Sequence, residues 1–260
     1  MSFSTLSLGS GASVVISLLL GTLALFEGQS TRPHWPKPTT AKDSWSRAHA
    51  VAMLAGAGIA MALRMPLVVM SVAVSSFSLL IVQSRGGWTP NGKFGVANSV
   101  TAVRVLLTFA LLIRVEEQPR YAVALAALVV LGLDLVDGWL ARRFAEQGPF
   151  GGCFDMEVDA AFVLSVSFSL WVRGVAGPWV ILAGLWRYLF VVIPMLVPSR
   201  GGEAPRSLLY RSTYALMVIG FVSALIVPAH GELLSMLSTV VISASFLRSF
   251  YYRYAPPPQP

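Results

Sequence analysis

Four aspartates sit in or beside strongly apolar stretches of this chain: Asp134, Asp137, Asp155 and Asp159. A carboxylate at membrane depth is costly and marks a functional site by default. The spacings are helical. Asp134 and Asp137 stand at i and i+3, and Asp155 and Asp159 at i and i+4, so each pair shares one helix face. A short polar turn, residues 143–150, separates the pairs. The two helices must therefore be antiparallel neighbours, with the acid pairs facing each other near one membrane surface. Four converging carboxylates repel unless cations sit between them, and an all-oxygen ligand set suits Mg2+ or Mn2+.

The residues around the acids fit the same chemistry. Gly138 and Ala141 lie on the side of the first helix near the aspartates, where small residues let a ligand or a helix approach closely. Gly151 and Gly152 open the second helix, where bare backbone can meet a phosphate. Arg142 adds a cation. The full pattern reads Asp-x2-Asp-Gly-x2-Ala-Arg-x8-Gly-x3-Asp-x3-Asp over Asp134, Asp137, Gly138, Ala141, Arg142, Gly151, Asp155 and Asp159. It resembles the signature of the CDP-alcohol phosphotransferase family, class I, with every fixed position present. Upstream, Asn98, Thr101 and Arg104 form a polar stripe at i, i+3 and i+6. The stripe is open to two readings: hydrogen bonding between helices, or the similar Asn-x2-Thr-x2-Arg pattern of that family, where it helps hold the nucleotide diphosphate. The planar fork of arginine suits a diphosphate.

The elements that must position these residues are membrane helices. The chain has 260 residues, and only 12% are charged against 55% hydrophobic. A soluble domain carries about 25% charged residues, so an all-α integral membrane protein is expected. The net charge of +7 falls mostly in short loops, which speaks for orientation and contact with anionic lipid headgroups rather than for nucleic acid. The single cysteine, Cys153, allows no intrachain disulfide and reads as an apolar filler.

A six-helix transmembrane core is expected over residues 94–254, with helices near 94–115, 121–142, 151–172, 179–197, 207–227 and 232–252. Residues 1–93 form an N-terminal extension with two or three further transmembrane helices and no assigned role. Within it, 11–26 reads as a short membrane helix. Residues 28–47 read as an irregular cytoplasmic loop with three prolines, in which His34 and Trp35 are interfacial. The run 48–83 is long for one span of about 20 residues. It reads as a hairpin turning at Arg64 and Pro66, or as one kinked span. Residues 84–95 form a polar break and a domain boundary. The tail, 255–260, is Pro-rich and expected to be disordered.

Charge placement orients the bundle. Arg142, Arg143, Arg200, Arg206, Arg211, Arg248 and Arg253 fall at one set of helix ends, and Glu116, Glu117, His230 and Glu232 at the other, against Arg120 and Arg173. The positive-inside rule makes the signature end cytoplasmic. An inner-membrane enzyme with its active site facing the cytoplasm is the expectation.

The resemblance implies a reaction: transfer of a substituted phosphoryl group from a CDP-linked donor, usually CDP-diacylglycerol, to a hydroxyl, with release of CMP. It implies two Mg2+ or Mn2+ ions held by Asp134, Asp137 and Asp155 with Asp159 contributing, Asp159 as general base, and a donor site at Asn98, Thr101, Arg104, Gly138, Ala141, Arg142 and Gly151. The acceptor is read from the residues. Arg187 is isolated in an apolar helix, and Arg206 and Arg211 open the next. They bind a phosphate on the acceptor, as in glycerol 3-phosphate or phosphatidylglycerol, or else Arg187 pairs internally with Glu157. Met156 and Ala160 stand where the bacterial phosphatidylglycerophosphate synthases it resembles usually carry proline and lysine. Expected partners are CDP-diacylglycerol, the acceptor, membrane lipids and a second copy in a homodimer, with no nucleic acid. Two alternatives stay open: an aminoalcohol phosphotransferase using CDP-choline or CDP-ethanolamine with diacylglycerol, and an Mg-dependent membrane prenyltransferase. The latter would want its aspartate motifs well separated. A divalent-cation transporter would not need Gly138, Ala141 and Arg142 at fixed spacing.

Overall fold

The computed structural model describes residues 40–197 and 208–255, without the side chains of 40–43 and 208–212. The expected helix at 11–26, His34, Trp35, Arg200 and Arg206 lie outside the described residues, as does all but the first residue of the expected tail.

Among the described residues the chain is helical, with no strand. Helices α1 (Thr40–Leu63) and α2 (Leu67–Gln83) form the expected hairpin. Arg64 takes a left-handed φ of 54°, Met65 N–H donates to Ala60 O at 3.0 Å, and Pro66 cannot extend the helix before it. The chain therefore turns at Arg64–Pro66 rather than continuing as one kinked span. The start of α1 corrects the sequence reading, because 40–47 is helical and not loop. Past Pro38 no proline or glycine interrupts the backbone until Gly56. Trp45 and His49, at i and i+4, are both buried on the inward side.

Six helices follow a polar turn over 84–95 that ends on a glycine: α3 (Val96–Leu112), α4 (Arg120–Arg143), α5 (Pro149–Val172), α6 (Leu182–Leu196), α7 (Leu208–Ile226) and α8 (Gly231–Tyr254). Single 3-10 turns, Pro178–Ile181 and Pro228–His230, lead into α6 and α8.

Helix α5 is the axis of the fold. It contacts α2, α3, α6 and α7, and every residue from Ala160 to Leu170 is buried. A helix that is apolar all round belongs inside. Its three buried serines do not break this, because Ser165, Ser167 and Ser169 each donate to the carbonyl four residues earlier, at 2.7 to 2.9 Å. On α6, Gly184 lies so close to the Leu164 backbone that a side chain there has no space, the close approach that small residues allow between membrane helices.

The outer surface is apolar. Val82, Leu106, Leu125 and Leu196 are all exposed. Four segments are long and apolar enough to cross a membrane: Ser44–Leu63, Arg120–Arg143, Pro178–Leu196 and Pro228–Tyr254. Shorter apolar helices cover Leu67–Gln83, Val96–Leu112 and Thr213–Ile226. An apolar exterior on helices of this length defines an integral membrane protein. Helix α5 is not among the four, since its first half carries Asp155, Glu157 and Asp159, and its neighbours shield it.

Candidate active site

The signature is built where α4 ends and α5 begins. Ala145, with φ 51°, turns the chain out of α4, and Glu146 N–H closes that end on Ala141 O at 2.9 Å. Pro149 opens α5 at a position where its missing N–H costs nothing. The Glu146 side chain then reaches across to α3. Its carboxylate accepts from Val96 N–H at 3.0 Å and Ala97 N–H at 2.9 Å, satisfying two of the orphan donors of a helix N-terminus. The residue ahead, Gly95, has φ 85° and no side chain to do so. One carboxylate from the α4–α5 turn thus sets the register of α3 against the acids.

Asp134, Asp137 and Asp155 each bring a carboxylate oxygen within 4.8 Å of the others. Asp159 joins them one turn deeper along α5. The Arg104 guanidinium lies among all four. Nη2 is 3.1 Å from Asp134, Nη1 is 2.8 Å from Asp137 and 2.7 Å from Asp155, and Nη2 also pairs with Asp159. Arg104 is wholly buried, and its Nε has no hydrogen-bond partner. The side-chain exposure of the acids is graded: 4% at Asp137, 17% at Asp134, 26% at Asp159 and 35% at Asp155. The cluster therefore has a floor at Asp137 and an open side at Asp155.

Two of the three residues of the α3 stripe meet this cluster, and the third faces the start of α5. Thr101 Oγ1 donates to Asp137 Oδ2 at 2.9 Å. Asn98 donates from Nδ2 to Phe94 O at 2.5 Å, which turns its Oδ1 towards Gly151, where a Cβ would come within 2.9 Å of that oxygen. Gly151 is thus needed for α5 to start this close to α3. Gly138 and Ala141 are half-buried on α4, and Arg142 is exposed at its end. The stripe was expected at a diphosphate. Here Thr101 and Arg104 are engaged by the carboxylates themselves.

Among the described ion pairs, one guanidinium faces four carboxylates, a formal excess of three negative charges. Buried charges of one sign are held only when paired or metal-bound. The oxygen-only donor set, its open side and this excess fit divalent cations of the Mg2+ or Mn2+ kind, with Asp134, Asp137 and Asp155 as ligands.

Of the residues expected at the acceptor, Arg187 lies elsewhere. Residue 157 lies about 200° around the helix from 155, at ~100° per residue, so Glu157 points away from the aspartates. Arg187 follows it there: its Nη2 is 2.5 Å from Glu157 Oε1, the internal pairing that was the alternative from sequence. Arg206 and the Arg211 side chain lie outside the described residues. Two residues escaped the sequence reading. Glu146 caps α3, and no spacing rule signals a cap supplied by another loop. The Tyr214 hydroxyl on α7 is buried without a hydrogen-bond partner. Its only sequence signal is a polar-tipped ring in an apolar helix.

A cluster of carboxylates that could hold a cation, at one end of a helical membrane bundle, sets the class: a membrane protein with an acidic, metal-compatible site. Residues 94–247 match the CDP-alcohol phosphatidyltransferase family, and the chain belongs to it. That match implies phosphatidyl transfer from a CDP-alcohol to an alcohol acceptor with a divalent metal, which the Asp134, Asp137 and Asp155 oxygens could hold. Neither a curated protein nor a solved structure shows significant similarity to the chain.

Proposed function

We propose that this protein transfers a phosphatidyl group from CDP-diacylglycerol to an alcohol and releases CMP, at the cytoplasmic face of an inner membrane. Residues 94–254 are the catalytic unit, a six-helix transmembrane bundle that works as a homodimer, and the preceding hairpin is an accessory to it. The observation that carries the reading is the convergence of four carboxylates, three of them placed to share a metal, beside a glycine-opened helix.

Asp134, Asp137 and Asp155, with Asp159 contributing, would hold two Mg2+ or Mn2+ ions, which when bound neutralise charge on the diphosphate and on the departing CMP. The protein's own groups do the rest. Gly138 and Ala141 leave space for the cytidine and diphosphate, and Gly151 lets α5 begin close enough to α3 to border it. Asn98, Thr101, Arg104 and Arg142 surround that space, and Thr101 fixes the rotamer of Asp137. Asp159, one turn deeper and partly open, is the general base. The acceptor oxygen attacks the phosphatidyl phosphorus and its proton passes to Asp159. A new O–P bond forms, and the bridging P–O bond breaks to leave CMP. Positioning and fixed charge supply most of the rate in such transfers.

For the acceptor, the arginines at 206 and 211 favour a phosphate-bearing alcohol, such as glycerol 3-phosphate or phosphatidylglycerol. A second reading draws on the Arg187–Glu157 pair. With Arg187 neutralised on the far side of α5, a neutral acceptor becomes tenable, and the enzyme would use CDP-choline or CDP-ethanolamine with diacylglycerol. An assay decides between them: purified protein, each donor, a panel of acceptors, Mn2+ or chelator, with CMP and product lipid mass as readouts. Metal-dependent CMP release with a phosphorylated alcohol supports the first reading, and turnover only with diacylglycerol the second. No CMP release from any CDP-alcohol overturns both.

A further inference from the structure

Helix α7 forms a wall of the aspartate site that neither the signature nor the polar stripe describes. It packs against α4 and α5 as well as α8, and the side chain it brings to the acids is Tyr214. The charged groups in its surroundings are Asp159, Asp134, Arg104 and Asp155. The hydroxyl oxygen is buried and has no hydrogen-bond partner. A buried donor without a partner is destabilising, and phenylalanine would fill the same space without that burden. A second buried tyrosine hydroxyl, on Tyr188, also lacks a partner. Its charged neighbours are Glu157 and Arg187, so it belongs to the far side of α5. Tyr214 is the orphan that faces the chemistry.

We propose that Tyr214 contacts the acceptor, its O–H donating a hydrogen bond to the oxygen of the attacking alcohol. This rests on the transferase reading above. An alcohol oxygen offers one hydrogen and two lone pairs. In the transfer the hydrogen goes to Asp159 and one lone pair forms the bond to phosphorus. The other lone pair is left for a donor, and a neutral phenol next to Asp159 is placed to supply it. A neutral phenol is a poor ligand for a hard cation beside four carboxylates, which separates this role from metal binding. With two partners, the alcohol oxygen is held in one orientation while the diphosphate bridge breaks, and orientation of the nucleophile is where positioning contributes most. Tyr214 then selects for acceptors whose reacting hydroxyl reaches the depth of Asp159, one turn beyond Asp155.

The test is Tyr214→Phe, purified beside the parent protein, with two readouts. The first is thermal unfolding in chelator and in Mn2+. The variant should unfold at the same temperature as the parent or higher, with an unchanged Mn2+-dependent gain, because it loses only an unpartnered hydroxyl. The second is steady-state CMP release from CDP-diacylglycerol with the best acceptor of the panel. Acceptor kcat/KM should fall about tenfold, the scale of one lost hydrogen bond, while donor KM stays within about twofold of the parent. A parent that releases no CMP overturns the transferase reading and this inference with it. An active parent with an equally active variant overturns this inference alone. A variant that unfolds earlier assigns Tyr214 to packing and overturns it too.

Discussion

The two faces of α5 carry the same chemistry to opposite ends. On one face Arg104 meets four aspartates, and on the other Arg187 meets Glu157. Both arginines sit in the interior of a membrane bundle, and both hold a carboxylate at hydrogen-bond distance. The difference is in the sum. The rear pair matches one charge with one: Glu157 is 1% exposed and takes a further hydrogen bond from Ser46 at 3.3 Å. The front cluster is unbalanced and open. A balanced pair needs nothing more from outside, whereas an unbalanced one is completed by cations or by a ligand that brings them. A buried arginine alone does not distinguish a site from a strut. The carboxylates it fails to neutralise do.

The comparison can be broken in four places. Asp159→Asn should have the largest effect, a fall in turnover of about 10²–10⁴, the usual contribution of a positioned base. Donor binding should survive, so the measurement is CMP release beside donor KM. Near-parental turnover would hand the proton to another group. Arg104→Gln comes next. Without the guanidinium the acids face each other bare, so the protein in chelator should lose roughly 3–5 kcal/mol, read as a lower unfolding temperature. The Mn2+-dependent gain should then exceed the parent's, because binding to the folded state stabilises it. A smaller gain would mean that arginine and metal act together, not in place of one another.

On the rear face, Arg187→Ala should also destabilise by about 3–5 kcal/mol, because it leaves Glu157 charged and buried. The Mn2+ gain and the acceptor KM should not move. A selective rise in acceptor KM would return Arg187 to the acceptor site. The smallest change is Ser46→Ala. It removes one long hydrogen bond to the same carboxylate and should cost no more than about 1 kcal/mol in denaturant unfolding.

What could be read from the residues was local. The acid pairs share faces because helical spacing forces it, but the expected packing of α4 directly on α5 is corrected by the structure: α3 packs against both helices, and the acids of α4 and α5 meet across it around Arg104. Pro66 and Pro149 stand where helices start. The start of α1 was not legible. Residues 40–47 are polar and follow a proline run, and what makes them helical is Trp45 packing inward, with its Nε1–H donating to Ser76 O on α2 at 3.2 Å. Nor was the target of Arg104. Spacing placed it on a stripe, but which ligand an arginine meets depends on how α3 is rotated, and that rotation is held by Glu146 from a distant turn. Arg187 and Glu157 were legible only as an alternative, since two charges in separate helices reveal a partnership once the helices are packed.

The hairpin of α1 and α2 lies outside the family match, yet α1 packs on α6, α2 packs on α5, and Ser46 reaches the Glu157 carboxylate. The border drawn by homology is therefore not a border of stability. A protein cut before residue 94 would keep all four aspartates of the cluster and lose the back wall of the helix that carries two of them. Lipid tails would then press on a carboxylate that the intact chain never shows them.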